Sequence, residues 1–269
     1  MYRLVLSVLV ALGAACGTPP EPLVLATTTS VANSGLLDTI LPAFEQHAAL
    51  RVRSVPVGSG RALRMLADGQ ADVIISHAPR QEADALRDHT DWFYRKVFFN
   101  DFLIAGPARD PGDVRRSRDA LDAVRRIQQS PAAFVTRGDE SGTHEREQSL
   151  SRDAGVTFAR ERLIVTGQGM SATLRIASEM DAYTLTDRGT FEQFASSLRI
   201  VELYRGDQRL LNTYAVICRP RSPAGRRFAV WLAEGPGRDT LAAAIASGML
   251  KGFAIWPDGR PRHRPDDTP

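Results

Sequence analysis

Between residues 23 and 76, short apolar runs alternate with amphipathic segments, and no other feature of the chain restricts its fold as strongly. LVLATT (residues 23–28) suits a buried strand. GLLDTILPAFEQHA follows, with Leu36, Leu37, Ile40, Leu41 and Phe44 at helical spacing. RVRSVPVG reads as a second strand, SGRALRMLADGQA as a helix closed by a glycine turn, and DVIIS as a third strand. Strands joined by helical crossovers pair in parallel and need both faces covered, so the pattern predicts a Rossmann-like α/β lobe. Pro42 lies inside the first helical segment and lacks a backbone N–H, which predicts a kink there.

The alternation resumes downstream. FYRKVFFNDFLIAGP has strand character up to Gly106 and Pro107, SRDALDAVRRIQQS is helical and AFVTR is a strand. TLRIASEMDAYTLTDRGTFEQFASS supplies a helix, a short strand and a second helix. NTYAVICRP reads as a late strand, followed by two helices in GRRFAVWLAEGPGRDTLAAAI. Two α/β runs, before and after Gly106, fit two lobes. The expected division is 23–103 plus 215–256 for the first lobe and 104–214 for the second. Residues 257–269 are proline-rich and charged and predict a flexible tail.

Composition adds exclusions. Of 269 residues, 43% are hydrophobic and 24% charged, which is globular and long enough for two modest lobes. The net charge of +3 comes almost wholly from arginine, with Lys96 and Lys251 the lysines, and no basic block is interleaved with aromatics. A nucleic-acid surface is therefore not expected. MYRLVLSVLVALGAAC (1–16) reads as an export signal too short to span a membrane. Cys16 after Gly-Ala-Ala resembles a bacterial lipoprotein cleavage site, although Gly13 stands where leucine is usual; simple secretion is the alternative. Residues 17–22, GTPPEP, form a stiff tether. Cys218, within YAVIC, reads as a small buried hydrophobe. No zinc or haem spacing appears, so no cofactor or metal site is expected.

Three junctions share one design of strand, small hydroxylated or glycine residues, then helix. They are Thr27, Thr28, Thr29 and Ser30; Gly58, Ser59 and Gly60; and Arg137, Ser141, Gly142 and Thr143. The first turn of a helix leaves backbone N–H groups unpaired and carries partial positive charge. Hydroxyls add neutral donors and glycine admits a ligand close to the backbone, so each junction suits an anion. Taken singly, a Ser or Thr at such a place is an ordinary N-cap. Three of them on parallel α/β units can converge on one crevice at the strand carboxyl ends. Arg137 either lends its planar fork to an oxyanion or pairs with Asp139 or Glu140 at the surface.

Other chemistries fit poorly. No lysine follows a glycine in these loops, which excludes a P-loop, and GSGRAL lacks the third glycine of a dinucleotide fingerprint. A hydrolase would need Ser141 as nucleophile and His144 as base, but three residues apart on a helix start the two diverge, and no GxSxG elbow is present. His47, His89 and His263 lie in polar surroundings and predict exposed side chains, whereas His77 in IISHAP follows a strand end and borders the same crevice.

In order along residues 23–255, ATTTS with SGLLD and LPAFE, VGSG with ADV and HAP, NDFLIAGP, RGDESGTHERE, GQGMSATLRIASE and YTLTDRGT resemble the substrate-binding proteins of tungstate ABC transporters. These are a branch of the two-lobed periplasmic solute-binding proteins, of the type II-like fold. The resemblance implies two lobes joined by crossover strands, DFLIAGP (101–107) and NTYAVICRP (212–220), closing on a tetrahedral oxyanion. It places the ligand contacts on Thr28 and Thr29, Ser59, Arg137, Ser141 and Thr143, with Met170 and Ser171 from a fourth junction, GQGMSATLR. It implies a non-enzymatic, periplasmic or cell-surface monomer, anchored through lipidated Cys16, that hands tungstate to an ABC permease. Molybdate, sulfate or phosphate are the alternative ligands, an exported serine hydrolase or a sensory domain the more distant functions. RGDESGT is also similar to a loop of phosphate-binding proteins, in which an aspartate stands where His77 does here. An aspartate there accepts the proton of hydrogen phosphate and repels a dianion without protons, so its absence favours tungstate or molybdate.

Overall fold

Every apolar run of the first α/β segment becomes a strand. The computed structural model describes residues 21–265; the expected export signal and Cys16 lie outside them, as does most of the tether. Leu23–Thr27 (β1) pairs in parallel with Val52–Pro56 (β2) on one side and Val73–Ser76 (β3) on the other. Between them run Thr29–Asn33 (α1), Leu36–Ala48 (α2) and Ser59–Ala67 (α3). Pro79–Asp88 (α4) then leads to the 14-residue strand Phe93–Gly106 (β4). Pro42 does not end α2, which runs on to Ala48. Its ring and Asp38, whose carbonyl loses a partner, both lie on the solvent-exposed face of the helix, where the missing bond costs least.

The second segment holds Ala120–Gln129 (α5), Phe134–Thr136 (β5), Gly142–Ala154 (α6), Leu163–Val165 (β6) and Met170–Glu179 (α7). Tyr183–Asp187 (β7), Arg188–Phe194 (α8) and Val201–Tyr204 (β8) follow. The chain then returns through Leu211–Cys218 (β9) to Pro223–Glu234 (α9), Pro236–Ala246 (α10) and Ala254–Ile255 (β10).

β4 belongs to both lobes. Its first part, Phe93 to Asp101, pairs antiparallel with β9, which in turn lies beside β3. Its last part, Phe102 to Ala105, pairs antiparallel with β7, and Ile104 to Gly106 pair with β8. β5 lies parallel between β7 and β6. Such a strand must be apolar on both faces, and FYRKVFFNDFLIAG is buried at eleven of its positions and half-buried at the others. Each lobe has its own cores. Leu25, Ile40, Phe44, Phe228 and Trp231 pack α2, α9 and α10 on the first sheet. Phe102, Ile104, Ile127, Leu150 and Tyr183 pack α5 and α6 on the second. Cys218 is a free thiol, fully buried in the first core, and burial pushes it up to about 11, which suits an inert packing role.

The described part of the tail, residues 257–265, departs from the loose segment that its composition predicts. The Lys96 N–H donates to Arg262 O at 3.0 Å, tying it to β4.

A close approach fixes α9 on the first sheet. Ser222 caps α9 by accepting from Gly225 N at 3.1 Å, and its hydroxyl donates to Asp72 Oδ1 at 2.9 Å. A β-carbon at Gly225 would lie 2.2 Å from the Asp72 carbonyl oxygen, a backbone atom that cannot swing away. Gly225→Ala is expected to cost about 1–3 kcal/mol, read as a lower denaturant midpoint with an unchanged slope.

Candidate functional site

The helix starts singled out in the sequence differ in how their first turns are satisfied. Thr28 caps α1, accepting from Val31 N at 3.3 Å, and its Oγ1 lies 3.0 Å from Ser30 Oγ. Ser141 caps α6, accepting from His144 N at 3.3 Å. The residues before α3 and α7 are Gly58 and Gly169, and neither helix has a side-chain cap. Capping and ligand binding, which look like rival roles in the sequence, are compatible: a capping hydroxyl accepts from the backbone and keeps its own O–H to donate. Ser59 accepts from His77 N at 3.4 Å.

Glycine lets these starts meet across the lobes. A β-carbon on Gly58 would lie 3.4 Å from Asp139 O, and one on Gly169 would lie 3.6 Å from Thr29 Oγ1. One on Gly142 would sit 2.3 Å from His77 O. The α3 start thus faces the α6 start, and the α1 start faces the α7 start. Thr28, Ser59, Arg137, Ser141, Thr143 and Met170 are all buried, whereas Thr29 and Ser171 are half-buried. Thr143 Oγ1 is fully buried with no hydrogen-bond partner among the described residues, as are the hydroxyls of Ser76, Ser117 and Thr190. An orphaned hydroxyl in a native interior calls for an external partner.

Arg137 follows β5 and is 2% exposed. Its Nε donates to Gln168 O at 2.8 Å and to Asp139 Oδ2 at 3.1 Å, and its Nη2 also pairs with Asp139 Oδ2. Asp139 Oδ1 accepts from Ser141 N at 3.2 Å, so one carboxylate aims the guanidinium and ties it to the α6 start. Glu140 turns outward instead, 3.3 Å from Arg64, with both side chains exposed. The pairing of Arg137 is therefore with Asp139 alone, and it is buried rather than at the surface.

Two other buried carboxyls, Glu147 and Asp187, are pushed toward their neutral forms. Glu147, on α6, accepts from Thr136 Oγ1 and from Arg137 N at 3.3 Å, and burial pushes it up to about 8. Asp187 caps α8 through Thr190 N at 2.9 Å, and burial raises it above the usual range. His77 is buried and held down at about 4 by burial, hence neutral near pH 7. Its Nδ1 lies 2.8 Å from Asn212 Oδ1, while Asn212 Nδ2 donates to Asn100 Oδ1 and Tyr214 OH at 2.7 and 2.8 Å. With the amide turned this way, the imidazole proton sits on Nδ1. This buried network ties β3 to the β4–β9 pair beneath the helix starts.

Ser141 and His144 are not arranged for nucleophilic attack. The His144 ring accepts from Glu140 N at 3.2 Å through Nδ1 and meets Gln148 Nε2 at 3.1 Å through Nε2, leaving Ser141 Oγ without a base. Among the described residues no group of three His, Cys, Asp or Glu side chains could hold a metal ion, and no helix is long and apolar enough to cross a membrane. Of the other histidines, His47 and His263 are exposed as expected, but His89 is half-buried, its ring stacked on Trp92 with centroids 4.3 Å apart. Sequence reasoning missed Glu147 and Asp187. Each lies within a quoted motif or just beyond one, but burial of a carboxyl has no signature in the residue letters.

The same arrangement of lobes occurs in known proteins. A family model described as PBP superfamily domain matches residues 14–235. The chain is similar to the tungstate-binding protein TupA of Peptoclostridium acidaminophilum, 37% identical over 197 residues that cover 72% of this chain and 69% of that one. Among solved structures it is similar to that of the tungstate ABC transporter from Geobacter sulfurreducens, at 32% identity and a TM-score of 0.74, covering 84% of this chain and all of that one. It is also similar to TupA from Desulfovibrio alaskensis G20, at 33% identity and a TM-score of 0.72, covering 88% of this chain and 100% of that one.

The buried carboxyl at Glu147 makes stability depend on pH. Its folded form keeps a proton that the unfolded chain releases near 4.5, so its contribution is full below that and lost as pH rises through about 8. Glu82, raised to about 7 by burial, acts with the same sign. Glu147→Gln is expected to flatten, by on the order of a few kcal/mol, the fall in unfolding free energy between about pH 5 and 8. Denaturant titrations across that window check this, and a slope equal to that of the parent chain would refute it.

Proposed function

The chain belongs to the PBP superfamily and, within it, to the family of the tungstate-binding proteins, and from that membership we propose that it captures a tetrahedral oxyanion, tungstate before others, between its lobes and delivers it to the permease of an ABC transporter. The observation that supports this reading is that helix starts face one another in pairs across the two lobes, α3 with α6 and α1 with α7, with the buried Thr143 hydroxyl at the α6 start.

Binding exchanges the hydration shell of the anion for fixed donors. The first-turn N–H groups of α3 and α7, which no side chain caps, offer backbone donors and the positive ends of two dipoles. Thr28, Thr29, Ser59, Ser141, Thr143 and Ser171 add O–H donors, Met170 adds its backbone at the start of α7, and Arg137 adds the charge. Donors that are already oriented need no reorganisation when the ligand arrives. Closure of the lobes by a hinge in β4 and β9 buries the ligand and strengthens each of these bonds.

Selectivity follows from the shortage of ionised acceptors. Glu147 and Asp187 are pushed toward the neutral state and His77 is uncharged, so a dianion without protons meets donors. Hydrogen phosphate must also place its own proton, and Asp139, the carboxylate nearest to Arg137, is already engaged by Arg137 and Ser141 N. Tungstate and molybdate share size and charge, so both are expected to bind.

We further propose that Cys16 carries a lipid anchor, that the mature chain acts outside the cytoplasm as a monomer, and that it turns nothing over. The diverging Ser141 and His144 support the last of these.

Calorimetry with tungstate, molybdate, sulfate and phosphate tests the reading, which fails if tungstate shows no binding or if phosphate binds equally well. Arg137→Ala is expected to weaken tungstate binding by about a hundredfold or more, since a charge-assisted fork is lost and Asp139 is left facing the anion. Thr143→Val separates binding from folding. It removes a hydroxyl that has no hydrogen-bond partner among the described residues, so affinity is expected to fall by about tenfold while the thermal midpoint holds or rises.

A further inference from the structure

We propose that Glu145 is a latch that caps helix α4 across the lobe boundary and thereby sets how slowly the bound anion leaves; this rests on the binding function proposed above. Helix α4 belongs to the first lobe and starts with Pro79, preceded by Ala78, which has no side-chain oxygen with which to cap it. Its own lobe satisfies one first-turn amide, Ala78 N, through Glu82 Oε1 at 2.9 Å. The next two are satisfied from the other lobe. Arg80 N donates to Glu145 Oε1 at 3.0 Å and Gln81 N to Glu145 Oε2 at 3.4 Å. The Gln81 side chain closes the contact, its Nε2 donating to Glu145 Oε2 at 3.1 Å and to Glu140 O at 3.4 Å.

Glu145 also sits in the first turn of its own helix, α6. Its carboxylate therefore lies between the positive ends of two helices that face each other from opposite lobes. Without an anion between them those ends repel. The protein applies to itself, at the mouth of the cleft, the physics proposed for the ligand in its interior. The opening of about 420 Å³ beside this contact is lined by Arg64, Arg80, Gln81, Glu140, His144 and Glu145, residues of both lobes.

The latch forms only when the lobes are together, so it acts chiefly on release. Anion encounter happens in the open form, where Glu145 and the α4 amides are both hydrated. Opening must break two backbone bonds to a carboxylate and the Gln81 contact together. Glu145 does not belong to the proposed ligand donors, so its removal leaves the binding groups intact.

The test uses the full chain with tungstate, comparing the parent with Glu145→Ala, Glu145→Gln, Gln81→Ala and the Glu145→Ala, Gln81→Ala pair. Stopped-flow gives association and dissociation rates, and small-angle scattering gives the radius of gyration with and without tungstate. Glu145→Ala is expected to speed dissociation by about tenfold, to enlarge the ligand-free radius and, because more of the ligand-free chain is then open, to leave association unchanged or faster. Glu145→Gln, which keeps an acceptor without charge, falls between, and the double variant shows less than the product of the two single effects. An unchanged dissociation rate in Glu145→Ala overturns the latch, as does a loss carried by slower association. If the parent chain itself binds no tungstate, the functional reading fails separately. The latch then stands or falls on scattering alone, overturned if Glu145→Ala leaves the ligand-free radius unchanged.

Discussion

Backbone N–H groups at helix starts, aimed at one another across a cleft, are the constraint on which the rest of this structure depends. α3 and α7 begin without side-chain caps, and α1 and α6 use hydroxyls that retain a proton to donate. Such groups, once buried together, need an acceptor between them. At Gly142 a β-carbon would strike the His77 backbone 2.3 Å away, whereas at Gly58 and Gly169 it would meet the facing lobe at ordinary contact distances of 3.4 and 3.6 Å. The charge of Arg137 follows the same logic. A buried guanidinium requires a counter-charge, and Asp139 supplies it while capping Ser141 N.

Holding two lobes at that spacing falls to β4 and β9. Because β4 is hydrogen-bonded to β9 along its first part and to β7 and β8 along its last, the two sheets share one continuous strand. Beneath the cleft, His77, Asn212, Asn100 and Tyr214 are linked in a buried hydrogen-bond network. Desolvation keeps His77 neutral, and the same desolvation presses Glu147 and Asp187 toward protonation. A single physical effect thus leaves the interior rich in donors and poor in negative charge, as an anion site requires.

Much of the fold was legible in the residue letters because it rests on local rules. Apolar runs at LVLAT, VIIS and LNTYAVIC become strands, and the amphipathic spacing of Leu36, Leu37, Ile40 and Phe44 becomes α2. The helix starts were legible for the same reason, since Ser, Thr and Gly at a strand-to-helix turn act within a few residues. Pro42 shows the limit of such rules: its cost depends on whether water reaches the orphaned carbonyl, which is settled by the way the helix faces. Residues 257–265 show it too, because a polar, proline-rich stretch still docks where its backbone accepts from a strand, as Arg262 O does from Lys96 N.

Asp139 and Glu140 are adjacent acids with nothing in their letters to separate them, yet one anchors a buried arginine and the other faces solvent beside Arg64. Glu145 and Gln81 stand 64 residues apart and meet only because two lobes close. By itself the sequence determined where helices begin, what donors stand there and that the strands alternate with them, because capping, turn chemistry and periodicity act over one or two turns of chain. Only the tertiary structure decided which donors share a cavity, which carboxyls are neutral and which acid meets which cation. Those outcomes depend on distance and desolvation between segments far apart in the chain, and burial is a property of the packed whole.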